Sequence, residues 1–120
     1  MKDLKYVRVT FADGDQITTH INGDYCEVCE YYLGNKFNIG SAEDNIQTAS
    51  KVEFFSDKVN GIILTVECEG DSIFISSIQE RECQYQKSDG YRTALNDYLQ
   101  NAAGGKLWFA IVRKLFRAAA

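Results

Sequence analysis

Residues 61–79 read GIILTVECEGDSIFISSIQ. Apolar side chains alternate through both halves, and Gly70-Asp71 interrupts them with a hairpin signal. Folded about that pair, Cys68 faces Ile73, Val66 faces Ile75 and Leu64 faces Ser77. This face is apolar. The other pairs Glu67 with Phe74 and Ile63 with Ile78; it is mixed, so part of it is expected to be covered. A hairpin with one apolar face needs a covering layer, and the elements around it decide which.

Upstream, ASKVEFF (residues 49–55) is a strand, and Asn60-Gly61 marks the bend after it. YVRVTFADGDQITTHI (residues 6–21) is a first hairpin. Two loops fit it. A two-residue turn at Asp13-Gly14 sets Phe11 against Gln16 and Val7 against His20. A three-residue loop, Asp13-Gly14-Asp15, sets Phe11 against Ile17, Val9 against Thr19 and Val7 against Ile21. The second matches apolar with apolar and is preferred. It places Arg8 beside His20 and Thr10 beside Thr18 on the opposite face.

NGDYCEVCEYYLGN (residues 22–35) predicts a short helix. Asp24 is its N-cap, Glu27 completes a capping box, and Gly34 stops it. Tyr25, Val28, Cys29, Tyr32 and Leu33 form its apolar stripe. KFNIGSAEDNIQ (residues 36–47) has neither period and reads as a loop with room for one helical turn after Ser41. ERECQYQ (residues 80–86) is ambiguous and extends the sheet at most by one strand. Ser88 or Asp89 then caps a second helix whose stripe is Tyr91, Leu95, Tyr98, Leu99 and Ala102. The expected order is ββαβββ(β)αα: an antiparallel sheet from two hairpins plus a further strand, with helices packed on one face. Residues 1–105 form one α+β domain, and residues 106–120 form a basic amphipathic C-terminal helix.

That tail reads KLWFAIVRKLFR before three alanines, which are given no structural weight. Its apolar arc exceeds half the helical circumference. Burying seven large side chains yields a gross term of about 10–20 kcal/mol, and ordering the backbone costs about as much. The helix is therefore expected to pack on its own subunit or on a second copy. Trp108, Phe109, Arg113, Lys114 and Phe116 are its interaction candidates. A basic, aromatic-rich helix also leaves contact with a membrane surface open, as the less favoured alternative.

The whole chain carries a net charge of -4. The tail holds four basic residues and no acidic one, so the rest opposes nine basic with seventeen acidic residues, a balance of -8. Such a body repels nucleic acid, and no nucleic-acid partner is expected. The N-terminus has no signal-peptide core, so a cytoplasmic location is expected.

Cys26 and Cys29 form a CxxC, but no second pair completes a zinc set, because Cys68 and Cys83 are fifteen positions apart on strands. Structural thiols are the expected reading, with no metal and no cofactor. His20, the single histidine, has no nucleophile beside it in recognisable spacing. The alternating Glu67, Glu69, Glu80 and Glu82 read as a solvated face. Arg8, Thr10, Thr18 and His20 form a polar sheet face that could hold a small molecule or a minor catalytic site. Tyr31 falls off the helix stripe and is an exposed interface anchor.

The stretch INGDYCEVCEYYLGNKFNIGSAEDN resembles small uncharacterised proteins of phages and mobile elements of Gram-positive bacteria, on Asn22-Gly23, Tyr31-Tyr32-Leu33-Gly34 and Phe37-Asn38-Ile39-Gly40. The resemblance covers roughly the first half of the chain and departs from the usual pattern at Cys26 and Cys29. It implies no particular activity. The expected function is a non-enzymatic interaction or inhibitor protein that engages a protein partner or forms a homo-oligomer.

Overall fold

Alternating strands and two short helices, the first closed by a capping box, set the architecture. The computed structural model describes residues 3–56, 61–77 and 82–101. Its strands are β1 (Asp3–Phe11), β2 (Gln16–Gly23), β3 (Lys36–Asn38), β4 (Ile46–Ser56), β5 (Gly61–Glu69), β6 (Ser72–Ser77) and β7 (Cys83–Gln86). Its helices are α1 (Tyr25–Tyr32) and α2 (Tyr91–Asn101). The strands make one antiparallel sheet in the order β2-β1-β4-β5-β6-β7, with β3 pairing β4 off this path. The expected α+β class and antiparallel sheet are therefore present. The expected tail helix lies outside the described residues.

One face of the sheet is the core floor. Val7, Val9 and Phe11 from β1 lie beside Phe54, Val52 and Ala49 from β4. Leu64 and Val66 continue the rows on β5, and Ile75 and Ile73 continue the floor on β6. Val28 and Cys29 from α1, and Ala94, Leu95 and Tyr98 from α2, close over it. The helices touch each other; α1 sits over β2 and β4, and α2 over β6 and β7. Arg92 ties α2 to α1 through Glu30 at 3.3 Å and Asp24 at 3.8 Å.

The second hairpin has the register read from sequence, Cys68 with Ile73 through Leu64 with Ser77. The first is corrected by two residues. Its faces are right, but Val9 pairs with Ile17 and Val7 with Thr19. The three-residue loop is Ala12-Asp13-Gly14: the Gly14 N–H donates to the Phe11 carbonyl at 2.9 Å, and Gly14 takes φ 93°. A left-handed residue there is the usual end of a three-residue hairpin loop and favours glycine. Asp15 cannot fill this place cheaply, so the loop starts one residue earlier than expected.

Two β-bulges depart from strict alternation. Ser50 is the extra residue of β4 opposite Thr10 and Phe11, and its hydroxyl donates to the Thr10 carbonyl at 3.2 Å. Ile63 is the extra residue of β5 opposite Phe54 and Phe55. It was expected on the mixed face, but the bulge turns it inward, leaving it 1% exposed. The loop expected over residues 36–47 contains β3 and the first residues of β4 instead, with a bend rather than a helical turn after Ser41. At the start of α2, a 3-10 turn over Lys87–Asp89 and Gly90 at φ 88° precede the helix.

Candidate functional site

The capping box expected for α1 is formed. The Glu27 N–H donates to Asp24 Oδ1 at 2.7 Å, and the Asp24 N–H donates to Glu27 Oε1 at 3.3 Å. Burial works against the Asp24 carboxylate, but the Glu27 N–H and the Arg92 charge overcome it and lower its pKa. At the other end, Gly34 at φ 80° turns the chain. The Asn35 side-chain amide donates to the Glu30 and Tyr31 carbonyls at 3.0 and 2.8 Å. The Gly34 N–H then donates to the Ala49 carbonyl, and the Ala49 N–H to the Asn35 carbonyl, both at 2.9 Å. These bonds fix the end of α1 against the sheet.

This junction builds an aromatic cluster. Phe37 on β3 lies 6.2 Å from Phe11, 5.5 Å from Tyr32 and 5.6 Å from Tyr31, centroid to centroid. Tyr31 also meets Tyr32 edge-on at 4.8 Å. Burial, with Tyr31 adding to it, raises the Tyr32 pKa, so Tyr32 is a neutral phenol at neutral pH. Tyr31 itself is 56% exposed. An aromatic ring held from beneath but open above offers a large contact area at low conformational cost. The sequence singled out Tyr31 but not Phe37, which stands in a segment too short to show a period.

The second candidate is the sheet face away from the helices. Arg8, Thr10, Thr18 and His20 do share it, but they are not convergent. The strand pairs are Arg8 with Thr18 and Tyr6 with His20. Arg8 Nε and Nη2 donate to the two carboxylate oxygens of Glu53 on β4, at 2.8 and 3.0 Å. These hydrogen bonds raise the Arg8 pKa above its ordinary value, against partial desolvation. The Arg8 guanidinium also lies over the Phe55 ring, 5.4 Å from its centroid. His20 stacks on Tyr6 at 4.7 Å, and Gln16 donates to the Thr10 hydroxyl at 3.2 Å. Arg8 is thus engaged with a carboxylate of its own chain. Glu53 was not found from sequence, because nothing in local spacing pairs β1 with β4. The usable signal was a lone acid within the strand VEFF.

Cys26 and Cys29 both lie in the core, and all four cysteines are free thiols. Burial pushes the Cys29 thiol pKa well up and also raises that of Cys26. Desolvation therefore outweighs any helix-terminus preference for thiolate. Cys26 is more buried than its place off the predicted stripe suggested. Among the described residues, no group of three or more His, Cys, Asp or Glu could hold a metal ion. No helix among them is long and apolar enough to cross a membrane. Trp108, Phe109, Arg113, Lys114 and Phe116 lie outside the described residues.

No protein-family model, curated protein or solved structure matches the chain.

Proposed function

We propose that this chain is a binding protein, acting on a protein partner by surface complementarity without a chemical step of its own. We place it in the cytoplasm as an inhibitor or modulator carried by a phage or mobile element. The observation that carries the binding reading is Tyr31, more than half exposed yet seated on Tyr32 and Phe37. The polar face favours a ligand less, because Arg8 is already paired with Glu53. Free thiols suit a reducing compartment.

The mobile-element reading rests on the sequence resemblance alone. Its residues have structural duties in this fold. Gly23 and Gly34 take positive φ at either end of α1, and a Cβ on Gly40 would collide with the Glu43 carbonyl. The shared stretch is therefore a framework that presents Tyr31.

The test is affinity capture with the intact chain from a Gram-positive lysate, followed by a titration with the purified partner. Tyr31→Ala should weaken that binding by about 30-fold, the size of a hot-spot residue, while the chain stays folded with only a small drop in melting temperature from the lost ring contacts. Equal affinity for the variant would remove Tyr31 from the interface and this reading with it.

A further inference from the structure

Among the described residues, the main path of the sheet ends in two outer strands, and they are built differently. β7 is four residues long, whereas β2 runs for eight. Edge strands usually carry Lys, Pro, a bulge or an inward charge to block pairing with another chain. β2 reads QITTHING, with no Lys, Arg, Asp, Glu or Pro, and pairs with β1 without a register shift. Ile17 remains 37% exposed on its core-side face.

The backbone phase of β2 follows from the hairpin loop. The Phe11 N–H donates to the Asp15 carbonyl at 2.8 Å, so this is a hydrogen-bonded pair. Such pairs alternate along an antiparallel ladder. Ile17, Thr19 and Ile21 therefore turn their N–H and C=O groups toward β1. Gln16, Thr18, His20 and Asn22 turn theirs outward. Among the described residues, no strand meets that outer row. The Thr19 hydroxyl donates to the His20 carbonyl at 3.4 Å, a long contact that leaves the second lone pair free.

The geometry points to a second copy of this chain as the occupant, with β2 pairing antiparallel to β2 about a two-fold axis at Thr19. Only outward-facing residues can form the hydrogen-bonded pairs, so Thr18 bonds with His20 of the other copy, and Gln16 with Asn22. Thr19 then meets its own equivalent in a non-hydrogen-bonded pair. On the core-side face, Ile17 lies beside Ile21 of the second copy, which covers the exposed Ile17 surface. Backbone phase admits registers that differ by two residues, and matching Ile17 with Ile21 selects this one among them. The surface is separate from Tyr31, so the inference stands or falls independently of the binding reading.

The intact chain should show twice the mass of one chain by light scattering in the micromolar range. Thr18→Pro removes an outward N–H without touching the ladder to β1, a position where an edge strand accepts proline. It should give a folded monomer. If Thr18→Pro does not fold, Ile17→Lys should separate the copies, because it sets a charge beside Ile21 of the other chain. Register is read with single cysteines, the native chain serving as control. Across a non-hydrogen-bonded pair the Cα atoms lie about 4.5 Å apart, within disulfide reach. Thr19→Cys should link into a dimer under oxygen with a copper catalyst, whereas Thr18→Cys should not. A monomeric native chain, a dimer that survives both edge variants, or equal linking at positions 18 and 19 would each overturn the proposal.

Discussion

The two faces of the sheet bury their residues by different means. On the helix side, the rows across β1, β4 and β5 are hydrocarbon: Val7, Phe54 and Leu64, then Val9, Val52 and Val66. On the other side, the middle row is polar: Thr18, Arg8, Glu53, Thr65 and Ser76. A row of His20, Tyr6 and Phe55 lies next to it. The Glu53 side chain is only 7% exposed, against 34% for Arg8. The first face is stabilised mainly by area removed from water; Lys5, buried at its rim, lays its ammonium over the Tyr25 ring at 5.3 Å. The second holds a buried charge, and its stability depends on one partner staying in place. Low exposure therefore has two meanings in this molecule, and single substitutions distinguish them.

The largest effect belongs to the hydrocarbon face. Phe54→Ala and Phe11→Ala should each cost about 3–5 kcal/mol in denaturant unfolding. Phe54 is fully buried and meets Tyr25 edge-on at 4.9 Å, so its loss opens a cavity between sheet and α1. Losses below that of Arg8→Ala would reverse the assignment of the two faces.

An intermediate effect belongs to the ion pair. Arg8→Ala should cost about 1.5–3 kcal/mol, the range for a hydrogen bond to a charged group. The change is not silent despite the polar face, because it strands the Glu53 carboxylate. Glu53→Gln should cost less, about 1 kcal/mol, since the amide keeps one acceptor and Arg8 can turn to water. A double-mutant cycle in urea measures the coupling. Additive losses would mean that the two residues act separately.

The smallest effect tests the cover rather than the sheet. Asp24→Ala should cost about 0.5–2 kcal/mol through loss of the α1 cap. Its pH dependence has a definite sign. The folded Asp24 pKa is lowered, so its contribution is present above the ordinary carboxyl value of about 4. It is lost as pH falls through the lower folded value. The stability gap between native chain and variant should close in acid. A gap that widened there would place the effect elsewhere.

These faces were legible in the sequence to unequal degrees. Alternation fixes which side a residue points to, so Val7, Val9, Phe11, Leu64 and Val66 were placed correctly. It does not fix how far one strand slides by two along another, since both registers keep the same faces. Gly70-Asp71 left only one choice in the second hairpin. ADGD left several in the first, and the left-handed Gly14 settled it. Ile63 misled because a bulge suspends alternation for one residue. At the candidate site, Tyr31 was legible because it falls off the helix stripe, although the burial of Cys26 on the same helix shows that this place alone does not dictate exposure. Phe37 was not, because β3 spans three residues. Glu53 was hidden for a third reason: its partner is 45 residues away, and no local pattern reports a partner at that distance.

That separation also bears on how the chain reaches its fold. The β1–β2 and β5–β6 hairpins close over loops of a few residues, an event on the order of microseconds. Joining β1 to β4 is another matter, because α1 and β3 lie between them in sequence and the gap must be closed before any of its contacts form. The entropy of that closure comes first and the reward later, which makes non-local pairing the slow part of β topologies. The two faces compared above both cross the β1–β4 seam, so the hydrocarbon floor and the Arg8–Glu53 pair are assembled in the same late step.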